Sequence, residues 1–182
     1  MTTLAVRAVV IVMLLSACAD ASVMSGPINY PANGHNYYLL SSQTWTASES
    51  EAVTLGGHLA TVDDAAEQNF IWTTFNFPGR NLWIGLREVG VEGNYQWVSG
   101  APLSYTNWYA GEPNNANGTE AYVHMLTENG GYNGKWNDAP DDGLAGFFNP
   151  TYGVVEVVPE PGSLCLMLIG VAHALRRRRW NR

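Results

Sequence analysis

From Gly34 onward the spacing of hydrophobic positions changes twice before the middle of the chain. Gly34 to Ser41 (GHNYYLLS) is a tyrosine- and leucine-rich run that predicts an opening strand. Thr44 then opens a helical stretch from Trp45 to Leu55, where Ala52 and Leu55 recur at helical spacing and Gly56-Gly57 supplies the stop. His58 to Val62 follows as a short extended piece. Asp63 or Asp64 caps a second helix, with Ala66, Phe70, Ile71 and Phe75 expected on its buried side and Pro78-Gly79 breaking it. After Arg80 the texture becomes short aromatic runs parted by glycine turns. Leu82 to Leu86, Asn94 to Val98, Tyr122 to Leu126, Lys135 to Asn137 and Tyr152 to Val157 each predict a strand. Two helices followed by a strand-rich half predict an α+β domain in which both helices pack on antiparallel strands. Between Ser99 and Glu120 periodicity gives way to Asn, Gly and Pro over about 20 residues, a length that in a compact domain marks a functional loop.

The two ends differ from this body. Arg7, the apolar run Ala8 to Ala17 and the small residues around Ala19 and Ala21 have the pattern of an export signal over residues 1–21. Leu15-Ser16-Ala17-Cys18 also resembles a bacterial lipobox, which would lipidate Cys18. At the other end, Val158-Pro159-Glu160-Pro161-Gly162 leads into an apolar run from Ser163 to Leu175 and then four arginines. The run is shorter than the roughly 20 residues of an ordinary membrane span. The order of Pro-Glu-Pro, short hydrophobic segment and basic cluster resembles the PEP-CTERM sorting signal of exported bacterial proteins. That resemblance implies transient membrane retention, processing by an exosortase-type enzyme and release to the envelope or an extracellular matrix; a plain C-terminal membrane anchor is the alternative. The expected organisation is a signal peptide over 1–21, one domain over 30–158 and a sorting tail over 159–182.

Charge narrows the partners. Of the nine basic residues only Arg80, Arg87 and Lys135 lie between Ser22 and Val158, against fourteen acidic ones, a net charge of −11 for that stretch. So acidic a body excludes nucleic acid and anionic surfaces, which need clustered Lys and Arg, and favours cations. The two cysteines, Cys18 and Cys165, lie in the terminal segments, so the body has no thiol to crosslink, bind zinc or act as a nucleophile.

Within the irregular loop stands Glu112-Pro113-Asn114; Glu120 follows, and Trp136-Asn137-Asp138 comes about two dozen residues after the first motif. Three carboxylates and two amides are hard oxygen donors of the kind calcium takes, in irregular shells of roughly 6 to 8 ligands. Zinc would want His or Cys at ligand spacing, and His35, His58 and His124 are scattered. Pro113 restricts Glu112 and makes a cis bond accessible, so the two flanking side chains have a defined aim in either isomer. No nucleophile with its base, no carboxylate pair in a defined cleft and no phosphate-cradling glycine motif is visible, so the chain is not expected to be an enzyme.

GGHLATV (Gly56 to Val62), LWIGL, YTNWYAGEPNN (Tyr105 to Asn115), WND and the closing YGVVEV, in order over about 120 residues, resemble a C-type lectin-like domain. The resemblance implies that Glu112, Asn114, Glu120, Asn137 and Asp138 bind one calcium ion, which also takes two vicinal hydroxyls of a carbohydrate. EPN in place of QPD is similar to the mannose, glucose or fucose class. A shallow site of this kind predicts weak single-site binding and a need for multivalent display. The expected partner is thus a carbohydrate or exopolysaccharide; the alternative is a surface or matrix scaffold that keeps the fold without sugar binding. Two departures stand out. The positions aligned with the family's disulfide cysteines are Ala52, Tyr122, Val155 and approximately Asp141, and Ala121 replaces a common acidic residue, which weakens any second calcium. Trp108 and Tyr109 are candidates to stack on a sugar, and Trp136 is expected as a core anchor. Asp63, Asp64 and Glu67 read as helix-capping charges, and Asp141 with Asp142 as a solvated acidic turn.

Overall fold

The computed structural model describes residues 22–126, 131–143 and 150–159; the expected export signal, the sorting tail beyond Pro159 and Glu128 lie outside them. Strands β1 (Val23–Asn29) and β2 (Asn36–Ser42) form a hairpin, followed by helix α1 (Trp45–Thr54), β3 (His58–Leu59) and helix α2 (Ala65–Phe75). Strands β4 (Asn81–Glu88), β5 (Tyr95–Trp97), β6 (Tyr122–Met125), β7 (Trp136–Ala139) and β8 (Thr151–Val157) complete the order. The long sheet runs β1-β2-β8-β4-β6-β7, with β3 on β8 and β5 on β4.

Among the described residues the fold is thus α+β with two α-helices, but the sheet is mixed rather than antiparallel. The last strand returns to the centre of the sheet and pairs antiparallel to β2 (Tyr38 opposite Val155). Its direction is thereby fixed, and against β4 it runs parallel, with Trp83 opposite Gly153. Such a pairing depends on where a remote strand inserts, which local periodicity does not encode. Strand β1 was also absent from the pattern. It is an edge strand with only Val23 and Ile28 half-buried, interrupted by the cis Gly26-Pro27 bond, so it has neither alternation nor a clean run.

The helix signals are realised closely. Thr44 caps α1, its hydroxyl accepting the Ala47 amide at 3.1 Å, and Asp64 caps α2, one carboxylate oxygen accepting both Ala66 and Glu67 amides at 2.8 and 2.9 Å. Gly57 is required for packing: a Cβ there would lie 2.0 Å from the Glu156 carbonyl oxygen. The buried face of α2 differs from expectation. Ile71 and Phe75 are buried, Phe70 is half-buried and Ala66 is exposed, while Glu67 and Gln68 are buried instead.

Both polar residues are enclosed because the fold answers them. Glu67 accepts from the Asp63 amide (2.8 Å), Asn33 Nδ2 (3.0 Å) and the Tyr37 hydroxyl, so it is an internal hub rather than a helix-end charge. Gln68 accepts from Trp136 Nε1 at 2.8 Å and donates to the Gly134 carbonyl at 3.1 Å. Ala52 and Val155, two of the cysteine-aligned positions, share one apolar cluster with Leu40. Tyr122 packs on Trp45 with ring centroids 4.7 Å apart. Asp141 stands half-buried in the expected turn but is also tied down: its oxygens accept the Thr46 amide and hydroxyl, both at 2.8 Å, and its carbonyl accepts the Trp45 amide. Contacts of this kind stand where the resemblance would place crosslinks.

Candidate functional site

Trp136 is the foundation of the loop region. It is fully buried, and Trp97, Tyr105 and Trp108 meet its ring nearly edge-on at centroid distances of 5.8, 5.8 and 5.7 Å. It is therefore the core anchor expected, and Trp108, half-buried between Trp136 and Tyr95, belongs to the same packing rather than to an open stacking surface. Tyr109 is 39% exposed, with its ring edge on Tyr132 at 4.8 Å. The Trp136 amide donates to the Asn107 carbonyl, and the Tyr109 amide donates back to the Trp136 carbonyl, both at 2.8 Å. This two-bond ladder brings the Glu112 loop beside the strand carrying Asn137 and Asp138. A turn closed by the Glu112 amide on the Tyr109 carbonyl (3.0 Å) then delivers Glu112, and the Glu112-Pro113 bond is cis.

Asp138 is fully buried at the junction. Its Oδ1 accepts the Asn114 amide at 3.1 Å, and its Oδ2 accepts the Asn115 amide at 2.8 Å and the Tyr95 hydroxyl at 3.1 Å. Glu120, also buried, accepts the Ala116 amide on Oε2 at 2.8 Å, and its own amide donates to Asn115 Oδ1 at 3.0 Å. The chain between them can turn so tightly because Asn115 and Asn117 take left-handed φ values of 43° and 60°, which Asn tolerates better than most residues. Glu112 is half-buried, and its Oε2 is buried without a hydrogen-bond partner. Burial, then the Asp138 carboxylate and Glu120, push the Glu112 carboxyl up to about 7. Burial also raises Glu120, opposed by the donated Ala116 amide.

Asn137 is half-buried on β7, its Nδ2 directed to the Asp138 carbonyl and lying 3.4 Å from His124 Nε2. His124 is enclosed against the Trp83 ring at 5.3 Å, and burial lowers its pKa to about 4, so it stays neutral at physiological pH. Asn114 is exposed at the loop tip.

Glu112, Glu120 and Asp138 are thus brought into mutual electrostatic contact, with Asn114 and Asn137 on the same loop and strand. Among the described residues, however, no three Asp, Glu, His or Cys side chains already form a cage able to hold a metal ion. The donor set still fits a hard cation, because it is all oxygen, carries clustered negative charge and leaves one buried carboxylate oxygen unanswered. Tyr95, Gln68 and Glu92, whose Oε2 accepts from Asn115 Nδ2, escaped sequence reasoning. A tyrosine in an aromatic strand, a glutamine in a helix and a glutamate in a glycine turn have no local mark of a supporting role.

The family model described as the Lectin C-type domain matches residues 41–147, which include all five of these residues. The chain belongs to the C-type lectin domain family. Its similarity to human C-type lectin domain family 4 member G is 40% identity over 109 residues, covering 58% of this chain and 35% of that protein. Human C-type mannose receptor 2 is 32% identical over 124 residues, covering 67% of this chain and 8% of that protein. This lectin-family chain therefore spans about a third or less of these two relatives. Among solved structures it is similar to the cow C-type carbohydrate-recognition domain of CD23 in the presence of GlcNAc2Man3 oligosaccharide. The TM-score is 0.57 at 32% identity, over 68% of this chain and 88% of that one. C-type lectin domains are typically non-catalytic, consistent with a chain that is not an enzyme. No helix among the described residues is long and apolar enough to cross a membrane.

Proposed function

We propose that the chain binds carbohydrate through one calcium ion held by Glu112, Asn114, Glu120, Asn137 and Asp138. The observation that carries this reading is the buried, unpartnered Oε2 of Glu112 beside two further carboxylates, on the loop that packs against the Trp136 strand. When bound there, calcium would offer spare coordination positions to two vicinal sugar hydroxyls. The chain's own carboxylates then accept the hydroxyl protons, and the Asn114 and Asn137 amides donate to the hydroxyl oxygens. The EPN order supports the mannose, glucose or fucose class, and the similarity to a CD23 domain solved with GlcNAc2Man3 supports a glycan partner. The domain over 30–158 would act outside the cell, on an envelope or extracellular polysaccharide, exported by residues 1–21. The tail over 159–182 would hold it in the membrane until an exosortase-type enzyme processes it.

A scaffold reading draws on a different observation: Asp138 and Glu120 already accept loop amides, so the loop has hydrogen bonds that need no ion. Glycan-array binding of the full chain with calcium and with chelator separates the two. The lectin reading expects mannose-type glycans to be retained only with calcium, and binding that is absent or indifferent to chelator rejects it.

A further inference from the structure

Asn115 touches three separate parts of the molecule. Its amide donates to Asp138 Oδ2 at 2.8 Å, its Oδ1 accepts the Glu120 amide at 3.0 Å, and its Nδ2 donates to Glu92 Oε2. Glu92 lies on the turn between β4 and β5, which is closed by the Val89 amide on the Asn94 carbonyl (2.9 Å) and the Asn94 amide on the Val91 carbonyl (3.1 Å). The same hairpin sends the Tyr95 hydroxyl to Asp138. One hydrogen-bonded hairpin therefore grips the loop and its partner strand at two points.

Only a side-chain amide suits this position. Its oxygen end faces a backbone donor and its nitrogen end faces a carboxylate, in opposite directions, on a residue with left-handed φ. The geometry points to Asn115, clamped by Glu92, as a positioning residue that sets the 112–120 loop in its carboxylate-gathering arrangement before any cation binds. The inference rests on the preceding reading for its significance, because this loop is the one taken there to hold calcium. A loop arranged in advance spares the ion the ordering cost that a slack loop would impose.

The test inverts the polarity of the clamp in the full chain. Asn115→Asp keeps the acceptor for Glu120 but turns a second carboxylate toward Glu92. With chelator present, amide hydrogen exchange at Asn114, Asn115, Ala116 and Glu120 is expected to quicken about tenfold, and in calorimetric titration calcium affinity is expected to fall by a similar factor. Adding Glu92→Gln restores a donor opposite the new acceptor, and both quantities should return to within about threefold of the parent. Glu92→Ala, an exposed turn change that adds no charge, should quicken exchange in the same direction. A purely local defect at Asn115 would not be rescued from Glu92. Parent-like protection in Asn115→Asp and Glu92→Ala, or a pair no better than Asn115→Asp alone, overturns the proposal. Should the parent chain take up no calcium, the cation reading fails by itself, and the exchange comparison in chelator still decides the clamp.

Discussion

Glu67 and Glu156, between α2 and β8, are the same chemical group as Glu112, Glu120 and Asp138, placed in different company. Glu156 meets His35 Nδ1 at 2.5 Å and the Tyr37 hydroxyl at 3.1 Å on one oxygen, and accepts the Thr61 amide at 3.0 Å on the other. Glu67 is likewise answered on both oxygens. At the 112–120 loop, Asp138 is satisfied by the chain, Glu120 in part, and one oxygen of Glu112 not at all. Buried carboxylates are therefore not in themselves a sign of a site. A carboxylate that the fold completes holds the fold, whereas one left incomplete beside its like is what the proposed cation would complete.

The most severe way to break this contrast is to remove what both regions lean on. Trp136→Ala empties the aromatic cluster and abandons Gln68 of α2, so it should cost about 3–5 kcal/mol in chemical denaturation and abolish calcium uptake together. Glu156→Ala should separate the two regions. Leaving His35 and the buried Thr61 amide without their acceptor, while Tyr37 keeps Glu67, is expected to cost about 2–3 kcal/mol, with calcium affinity in calorimetry unchanged within about threefold. Glu112→Gln is the converse, with thermal stability in chelator held or slightly raised, because a repelled charge is gone, and calcium affinity weakened at least about tenfold.

The smallest effect is one of pH. Burial holds the Glu67 carboxyl above its ordinary range, against the donated Asp63 amide and Tyr37 hydroxyl. A carboxyl raised in the folded state favours folding fully below its unfolded pKa and loses that contribution as pH rises through the folded value. The parent melting temperature should therefore decline over that window, and Glu67→Gln should flatten the decline by a few degrees, read by melting the two proteins from about pH 4 to 8.

Much of the framework was legible because it is written locally. Thr44, Asp64 and Gly56-Gly57 mark helix ends through hydrogen bonds and φ values within a few residues, and the aromatic runs mark strands that need both faces covered. The EPN, Glu120 and WND residues could be picked out as oxygen donors for the same reason, and the structure brings the carboxylates of Glu112, Glu120 and Asp138 together. Glu67 misled because an acidic residue in a first helical turn is ordinarily a cap, and only Asn33 and Tyr37, more than 29 residues away in the chain, make it an interior group.

What the amino-acid order determined by itself is therefore the pair of helices, most strands, the acidic and thiol-free body, and the inventory of oxygen donors in the loop half. Tertiary structure alone decided the parallel seam between β4 and β8, the docking of Asp141 on α1, the Gln68 support beneath Trp136 and the Glu92 clamp on Asn115. Each of those joins residues at least 23 positions apart, where the favourable contact exists only after the intervening chain has been brought round, and no local periodicity or propensity carries a trace of it.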